Sequence, residues 1–223
     1  MLRPAPKEPM EAAPDPERHL ALAYAPDDGR RAALSALLAL DAALADVVRT
    51  TTQPAIGQIR LAWWREQLAK LDHAPPPAMP VLAALADTVL SRGIAGVALA
   101  KVVEGWEVLI EEETLDGDAL RRFGAERGGQ LFALAAIILG GDSGRAATLG
   151  QGWALADLTR HLDDPSVAAT AGTLARKALA TPLRGVARPL GLLALSARLD
   201  LAQVAPGGPK RAARLAWFGL AGR

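Results

Sequence analysis

The sequence predicts an all-α protein built as a single domain. Three observations support this prediction: apolar residues recur at three-and-four spacing along most of the chain, no segment of useful length alternates at period two, and capping or turn residues separate the apolar segments. The 223 residues are 51% hydrophobic, enough for one sizeable core. The proline cluster at residues 75–80 is the strongest linker candidate, but the segments around it are too short to fold alone. We therefore expect one bundle of about eight to ten helices.

The first predicted helix begins at Asp15-Pro16-Glu17, which supplies a capping residue, a proline at the first helical position and an acid in the first turn. It should end near Tyr24, because Pro26 disfavours helical geometry at the residue before it. We expect residues 1–14, which are rich in proline and charge, to form a disordered tail, and residues 15–223 to form the helical domain.

The second predicted helix begins at Asp27 and Asp28 and continues until Pro54 breaks it, and the third runs from about Ile56 to Leu71. Six further helices are predicted between turn signals: Val81–Leu90, Val97–Ile110, Ala119–Leu139, Arg145–Leu162, Ala168–Leu179 and Val186–Leu199. Pro189 should kink or shorten the last of these. A short amphipathic helix at Lys210–Leu220 completes the chain.

Composition excludes several classes of function. The net charge of +1 gives no overall attraction for nucleic acid, so we expect no nucleic-acid partner. The absence of cysteine excludes disulfides, thiolate catalysis and zinc–thiolate sites, and three histidines leave little room for a histidine-built metal site. The longest apolar run, Leu131–Leu139, is shorter than the roughly 20 residues of a membrane-spanning helix, and the N-terminus lacks a signal-like apolar core. We expect a cytoplasmic protein and leave peripheral contact with the inner membrane open.

Five strings carry a resemblance to a known family. In chain order they are RHLALAYAPDDGRRAALSALLALDAALADVV, QPAIGQIRLAWWREQL, ALRRFGAERGGQLFALAAIILGG, GQGWALADLTRHL and RPLGLLALSARLDL. The second contains IGQIRLAWWREQL, the most specific string in the sequence. Together they extend from Arg18 to about Leu201 and resemble the squalene/phytoene synthase family. The resemblance implies an isoprenoid-synthase-like helical bundle.

Catalytic members of that family join two prenyl diphosphates head to head. The resemblance implies Mg²⁺ as the cofactor, carboxylates on facing helices as its ligands and arginines that hold the diphosphate. The ligand-binding candidates on this chain are Arg30, Arg31, Arg60, Trp64 and Arg160. Trp64 is included among these candidates because it lies four residues after Arg60 on the same helix face, where the two side chains would form one wall of a groove.

The carboxylate motifs depart from the family pattern. The first should fall near residues 45–49, where only Asp46 remains and Arg49 takes a ligand position. The second should follow Arg160, but His161 comes next, and the adjacent acids Asp163 and Asp164 precede a proline. We therefore assign no catalytic residue and treat Asp46, Asp163 and Asp164 as degenerate counterparts, with any metal site unknown. No cofactor is expected, or Mg²⁺ if the chain is catalytic.

Three functions remain open. The chain is similar to the non-catalytic branch of the family, whose mitochondrial member is an assembly factor for respiratory complex I, so the first is an accessory or assembly factor. The second is a divergent Mg²⁺-dependent prenyltransferase that condenses farnesyl or geranylgeranyl diphosphate. The third is a module that binds a prenyl lipid without reaction.

Three local patterns lead to further expectations. Asp157, His161 and Asp164 would share one helix face, either as a rearranged site or as a solvated helix end. The pair Gly128-Gly129 is expected to let two helices approach closely, and Gly140 to end a helix. The apolar, arginine-containing C-terminal helices would contact a membrane surface or a protein partner, or be buried.

Overall fold

The computed structural model describes residues 16–222, and the predicted disordered tail at residues 1–14 lies outside that range. Residues 16–222 form eleven α-helices and no strand, which confirms the predicted all-α class. Their bounds are α1 Pro16–Ala23, α2 Asp28–Thr50, α3 Pro54–Lys70, α4 Pro80–Thr88, α5 Gly96–Glu111, α6 Gly117–Phe123, α7 Gln130–Leu139, α8 Ser143–Thr159, α9 Pro165–Leu179, α10 Arg188–Leu201 and α11 Pro209–Ala221.

Aspartates begin four of these helices. The side chain of Asp27 accepts a hydrogen bond from the backbone N–H of Arg30 at 2.8 Å, and Asp116, Asp142 and Asp164 make equivalent bonds at the starts of α6, α8 and α9. Each bond satisfies an amide that has no partner inside its own helix. Pro189 lies in the first turn of α10 and therefore fixes where that helix begins.

The predicted helix Ala119–Leu139 contains an irregularity. Residues Gly124–Gly129 form a π-helical segment that joins α6 to α7 without a break, so the three pieces make one continuous rod. A π segment holds an extra residue per turn and shifts the direction in which its side chains point. Arg127 lies in this segment and is directed into the bundle, where only 2% of it is exposed.

Glycines allow this segment to lie unusually close to its neighbours. A Cβ on Gly128 would overlap the carbonyl oxygen of Gly150 in α8, and a Cβ on Gly150 would overlap that of Gly128. Gly105 in α5 likewise faces the backbone of Arg127. The expected close approach at Gly128 is confirmed, and Gly140 ends α7 with a φ of 78°, as predicted.

The π segment and α8 occupy the middle of the bundle. The helix α8 packs against α7, α9, α10 and the π segment, while α2 packs against α4, α5 and α7. This arrangement brings α2, α5 and α8 around Arg127. Within residues 16–222, none of the helices has the length and apolar character needed to cross a bilayer.

Candidate functional site

A buried arginine lies between two carboxylates from different helices. Arg127 Nε donates to Asp41 Oδ1 at 2.8 Å, and its Nη2 donates to Asp41 Oδ2 at 3.0 Å. The same Nη2 lies 3.0 Å from Oδ2 of Asp157 in α8. Asp41, on α2, has no exposed surface, so its charge is neutralised inside the core by a bidentate partner.

Asp157 connects this buried pair to the protein surface. Its other oxygen, Oδ1, accepts a hydrogen bond from Arg160 Nη2 at 2.7 Å. Burial by itself raises the pKa of Asp157, but the charge of Arg127 and the hydrogen bond from Arg160 together hold that pKa well below its usual range. Burial likewise lowers the pKa of Arg127, and the two aspartates raise it above its ordinary value. Asp157 and Arg127 are therefore both charged at neutral pH.

Aromatic rings surround the Arg127 guanidinium. Its central carbon lies 4.1 Å from the ring centroid of Trp106, 5.0 Å from that of Trp153 and 5.5 Å from that of Phe123. A guanidinium over the face of an aromatic ring is stabilised electrostatically, more so where water is excluded. The aromatic side chains that line the centre of this bundle therefore hold a cation that belongs to the chain itself.

The ion pairs continue outward as an alternating chain. Asp41 also lies 3.8 Å from Arg18, and Arg160 lies 3.5 Å from Asp200. Asp200 accepts from Arg211 at 2.7 Å, and Arg211 pairs with Glu17 at 2.5 Å. Four acids and four arginines thus alternate, in the order Arg18, Asp41, Arg127, Asp157, Arg160, Asp200, Arg211 and Glu17. These eight side chains together therefore carry no net formal charge.

Two cavities lie beside Asp157. The first has a volume of about 190 Å³ and a largely charged lining that includes Arg18, Asp157 and Arg160. The second is smaller, about 90 Å³, and is mainly apolar, with Trp106, Arg127 and His161 in its lining. Asp157 lines both cavities, so its side chain lies at the boundary between them.

The carboxylates at this position do not fit the Mg²⁺ that the resemblance implies. Both oxygens of Asp41 and both oxygens of Asp157 already accept from guanidinium groups. Mg²⁺ requires carboxylate oxygens at about 2.0–2.1 Å and retains several waters, and here a fixed cation occupies the space between the acids. Residues 16–222 contain no group of three or more histidine, aspartate or glutamate side chains arranged to hold a metal ion.

The degenerate acids predicted from the sequence lie elsewhere. Asp46 is half-exposed on α2 and forms an ion pair with Arg49, whereas the inward-facing acid of α2 is Asp41. Asp164 caps α9 by accepting from the amides of Ser166 and Val167. Asp163 is exposed beside it. The structure therefore does not bring the three predicted acids together at the centre of the bundle.

The predicted arginine ligands are also dispersed. Arg30 donates to the Ile138 carbonyl oxygen at 2.9 Å, and Arg31 pairs with Asp28 at 2.5 Å, both near the start of α2. Arg60 donates to the Thr51 hydroxyl at 2.7 Å, beside the other end of α2. Twenty helical residues separate these ends, about 30 Å, so Arg30 and Arg60 do not meet around one diphosphate.

Two further sequence predictions have different outcomes. Trp64 is buried and packs edge-to-face against Trp63 at 5.5 Å, while Arg60 is engaged with threonine hydroxyls. Arg160 does lie at the central cluster, through Asp157 and Asp200. The shared helix face predicted for Asp157, His161 and Asp164 is wrong, because α8 ends at Thr159 and a separate helix begins after Asp164.

Sequence reasoning missed the two residues at the centre, Asp41 and Arg127. Asp41 is the one charged residue in the apolar run from Leu34 to Leu44 of the second predicted helix, and a charge within such a run requires a partner. Arg127 precedes the pair Gly128-Gly129, which signals a close helix approach. Neither signal identifies the other residue, because 86 positions separate them.

These helices, with facing carboxylates on α2 and α8, define an all-α bundle of the isoprenoid-synthase-like class. Residues 12–171, more than half of the chain, match the family model described as squalene/phytoene synthase. The chain therefore belongs to the squalene/phytoene synthase family, as the strings in its sequence predict. No curated protein and no solved structure matches it.

Proposed function

We propose that this family member does not condense prenyl diphosphates and acts as an accessory or assembly factor of the respiratory complex I type. The proposal places it in the cytoplasm, at the face of the inner membrane where such a complex is assembled. The assembly role rests on the resemblance to the non-catalytic branch of the family, and fold alone does not determine function. The loss of condensation rests on the geometry around Arg127.

The single observation that carries the proposal is the guanidinium between Asp41 and Asp157. Ionisation of a prenyl diphosphate needs divalent cations to neutralise the departing diphosphate. Within residues 16–222 the cation held between these acids is Arg127, whose Nε and Nη2 donate to them and whose face is covered by Trp106. The second supporting feature is the size of the two cavities, 190 and 90 Å³, which are smaller than the roughly 300 Å³ at which ligand pockets usually begin.

An accessory role requires a surface for a protein partner, and α3 offers one. Ile56, Ile59 and Trp63 lie along one side of this helix with 46%, 69% and 37% of their surfaces exposed. They belong to the string IGQIRLAWWREQL, whose other face packs against α5. Exposed apolar residues that are contiguous on one helix face are typical of a protein-binding site. We assign this stripe to the partner.

The catalytic half of the proposal is tested by a product assay. The chain is incubated with farnesyl or geranylgeranyl diphosphate and Mg²⁺, and the joined prenyl product is sought by mass spectrometry. The expected result is no product. A product that disappears in Asp46→Asn would establish the divergent prenyltransferase instead. A prenyl lipid that co-purifies with the chain, without product, would support the lipid-binding module.

The assembly half is tested by complementation in a host that contains respiratory complex I. Deletion of the native copy should lower the amount of assembled complex on a native gel, and the intact chain should restore it. Ile59→Ser should fail to restore it, because a polar residue then interrupts the α3 stripe. Ile137→Ser is the matched control, since this isoleucine is 58% exposed on α7, and should restore assembly. Unchanged complex I in the deletion host would refute the role.

A further inference from the structure

The charge of this chain is unevenly distributed along the sequence. Residues 165–223 contain nine lysines and arginines but a single acid, Asp200, although the whole chain carries only +1. This C-terminal segment therefore has a formal charge of +8, and residues 1–164 have −7. An asymmetry of this size produces an electropositive region on an otherwise balanced protein.

Ion pairing increases the asymmetry at the surface. In residues 16–164, eleven of the fourteen basic side chains form ion pairs with acids of the described chain. In residues 165–222, Arg211 alone does so among the described side chains, and its partners are Glu17 and Asp200. The seven other described basic residues there have no carboxylate partner in residues 16–222: Arg176, Lys177, Arg184, Arg188, Arg198, Lys210 and Arg214.

Three of these arginines form a strip across the last three helices. A groove of about 420 Å³ between α9 and α10 is lined by Arg176 and Arg198. A second groove, about 590 Å³, lies between α10 and α11 and is lined by Arg198, Arg214 and Trp217. Arg198 lines both grooves, so the two are neighbours on this face. We call Arg176, Arg198, Arg214, Trp217 and Leu220 the basic face.

Arg198, at the middle of this strip, has a hydrogen-bond donor that could bind an anion. Its Nη2 donates to the Thr181 carbonyl oxygen at 2.6 Å, but within the described chain its buried Nε has no hydrogen-bond acceptor. Burial lowers the pKa of its guanidinium, and no nearby acid among residues 16–222 opposes this. An anionic oxygen that entered the groove would satisfy the donor and compensate the charge.

Large apolar side chains project from the same face. Trp217 is 64% exposed and Leu220 is 74% exposed, one turn apart on α11. The exposed charged side chains of this helix, Lys210 and Arg214, are both basic. An exposed tryptophan and leucine beside basic residues is the composition of helices that lie in the interfacial region of a membrane.

We propose that the basic face binds the surface of an anionic lipid bilayer, with phosphate groups of the lipids at Arg198 and Arg214 and with Trp217 and Leu220 inserted among them. The basic side chains that have no carboxylate partner in residues 16–222 favour a negatively charged surface. The exposed Trp217 and Leu220 favour a lipid bilayer over a nucleic acid, because a nucleic acid has no apolar interior into which they could insert. The inference does not depend on the proposed function, because vesicle binding is measured without any product or any protein partner.

Flotation with lipid vesicles tests the proposal. The full chain should float with vesicles that contain phosphatidylglycerol and remain behind with vesicles of phosphatidylcholine alone, and high salt should release it. Each basic residue near such a surface changes binding about fivefold, so Arg176→Gln combined with Arg214→Gln should weaken it roughly 25-fold. Trp217→Ala should weaken it roughly tenfold, because the indole no longer leaves water.

Matched variants distinguish this face from non-specific adhesion. Arg92→Gln with Lys101→Gln removes two exposed basic residues that have no ion-pair partner in the described chain, both within residues 1–164, and should leave binding unchanged. Trp63→Ala removes an exposed tryptophan from α3 and should also have no effect on flotation. Equal loss in the control variants, equal binding to neutral vesicles, or binding to a nucleic acid that competes with the vesicles would overturn the proposal.

Discussion

Replacing Arg127 by leucine removes the cation from the centre of the bundle while keeping an apolar side chain there. Asp41, which has no exposed surface, would then lose its bidentate partner and keep only the longer contact of 3.8 Å with Arg18. Breaking a buried ion pair on one side typically costs about 3–5 kcal/mol. Loss of the guanidinium from its position 4.1 Å from the Trp106 centroid adds about 1 kcal/mol. We expect Arg127→Leu to lower the free energy of unfolding by about 4–6 kcal/mol.

Three companion variants separate charge from shape. Arg49→Leu removes the arginine of the half-exposed Arg49–Asp46 pair on α2 and should cost no more than about 0.5 kcal/mol. Arg127→Lys keeps a cation but loses the planar fork that bonds both oxygens of Asp41, so we expect an intermediate loss. Combining Arg127→Leu with Asp41→Leu removes both charges, and most of the lost stability should return.

The measurement is equilibrium unfolding in guanidinium chloride, followed by tryptophan fluorescence and circular dichroism. Arg127 holds the pKa of Asp157 below its usual range, so this part of the stability is present above about pH 4 and disappears as the pH falls. The difference between the wild-type chain and Arg127→Leu should therefore shrink in acid. The reasoning is refuted if Arg127→Leu costs no more than Arg49→Leu, or if the double variant is no more stable than the single one.

Three further predictions use the same unfolding assay. Gly150→Ala should lower the free energy of unfolding by about 3 kcal/mol or more, because the new methyl group would overlap the backbone of the π segment. Gly117→Ala is the control: no atom from elsewhere in the described chain lies nearer than 3.6 Å to its new methyl group, so the free energy of unfolding should change by less than about 0.5 kcal/mol. Burial raises the pKa of Glu107 although the charge of Arg65 opposes the shift, so the protein loses stability as the pH rises through that pKa. Glu107→Gln should therefore raise the free energy of unfolding at pH 7 but not below pH 4. A difference in stability between the variant and the wild-type chain that stays constant across this range would contradict the prediction. Asp72→Ala removes the acceptor of the first amides of α5 and should cost about 1 kcal/mol; no loss would contradict this capping role.

Helix positions were predictable because the signals that set them are local. Asp27 accepts from an amide three residues ahead, and Asp164 from amides two and three residues ahead, so their roles are visible in short stretches of sequence. Pro54 begins α3 for an equally local reason, since proline has no N–H and the first helical position needs none. The end of α8 was misplaced by three residues, and that error put Asp157 and Asp164 on one helix.

The central cluster was not predictable in the same way, because its partners are distant in sequence. Asp41 and Arg127 meet only after α2 and the π segment have packed together, and the pattern around Arg127 suggests an ordinary helix. The π segment decides which way Arg127 points, and periodicity at 3.6 residues does not reveal it. Asp46, the degenerate counterpart that the family resemblance indicated on α2, faces the surface because it lies five residues after the inward-facing Asp41.

A guanidinium and a divalent metal ion both neutralise facing carboxylates, but only the metal ion has coordination positions that a substrate can occupy. Mg²⁺ has coordination positions that exchange water for a phosphate oxygen, and this exchange allows it to draw charge from a departing diphosphate. Arg127 directs its Nε and Nη2 donors at Asp41 and Asp157, and the rings of Trp106 and Trp153 lie beside it. A covalently attached cation of this kind holds α2 and α8 together without any added ion, and a guanidinium, unlike Mg²⁺, has no coordination position that exchanges water for a phosphate oxygen.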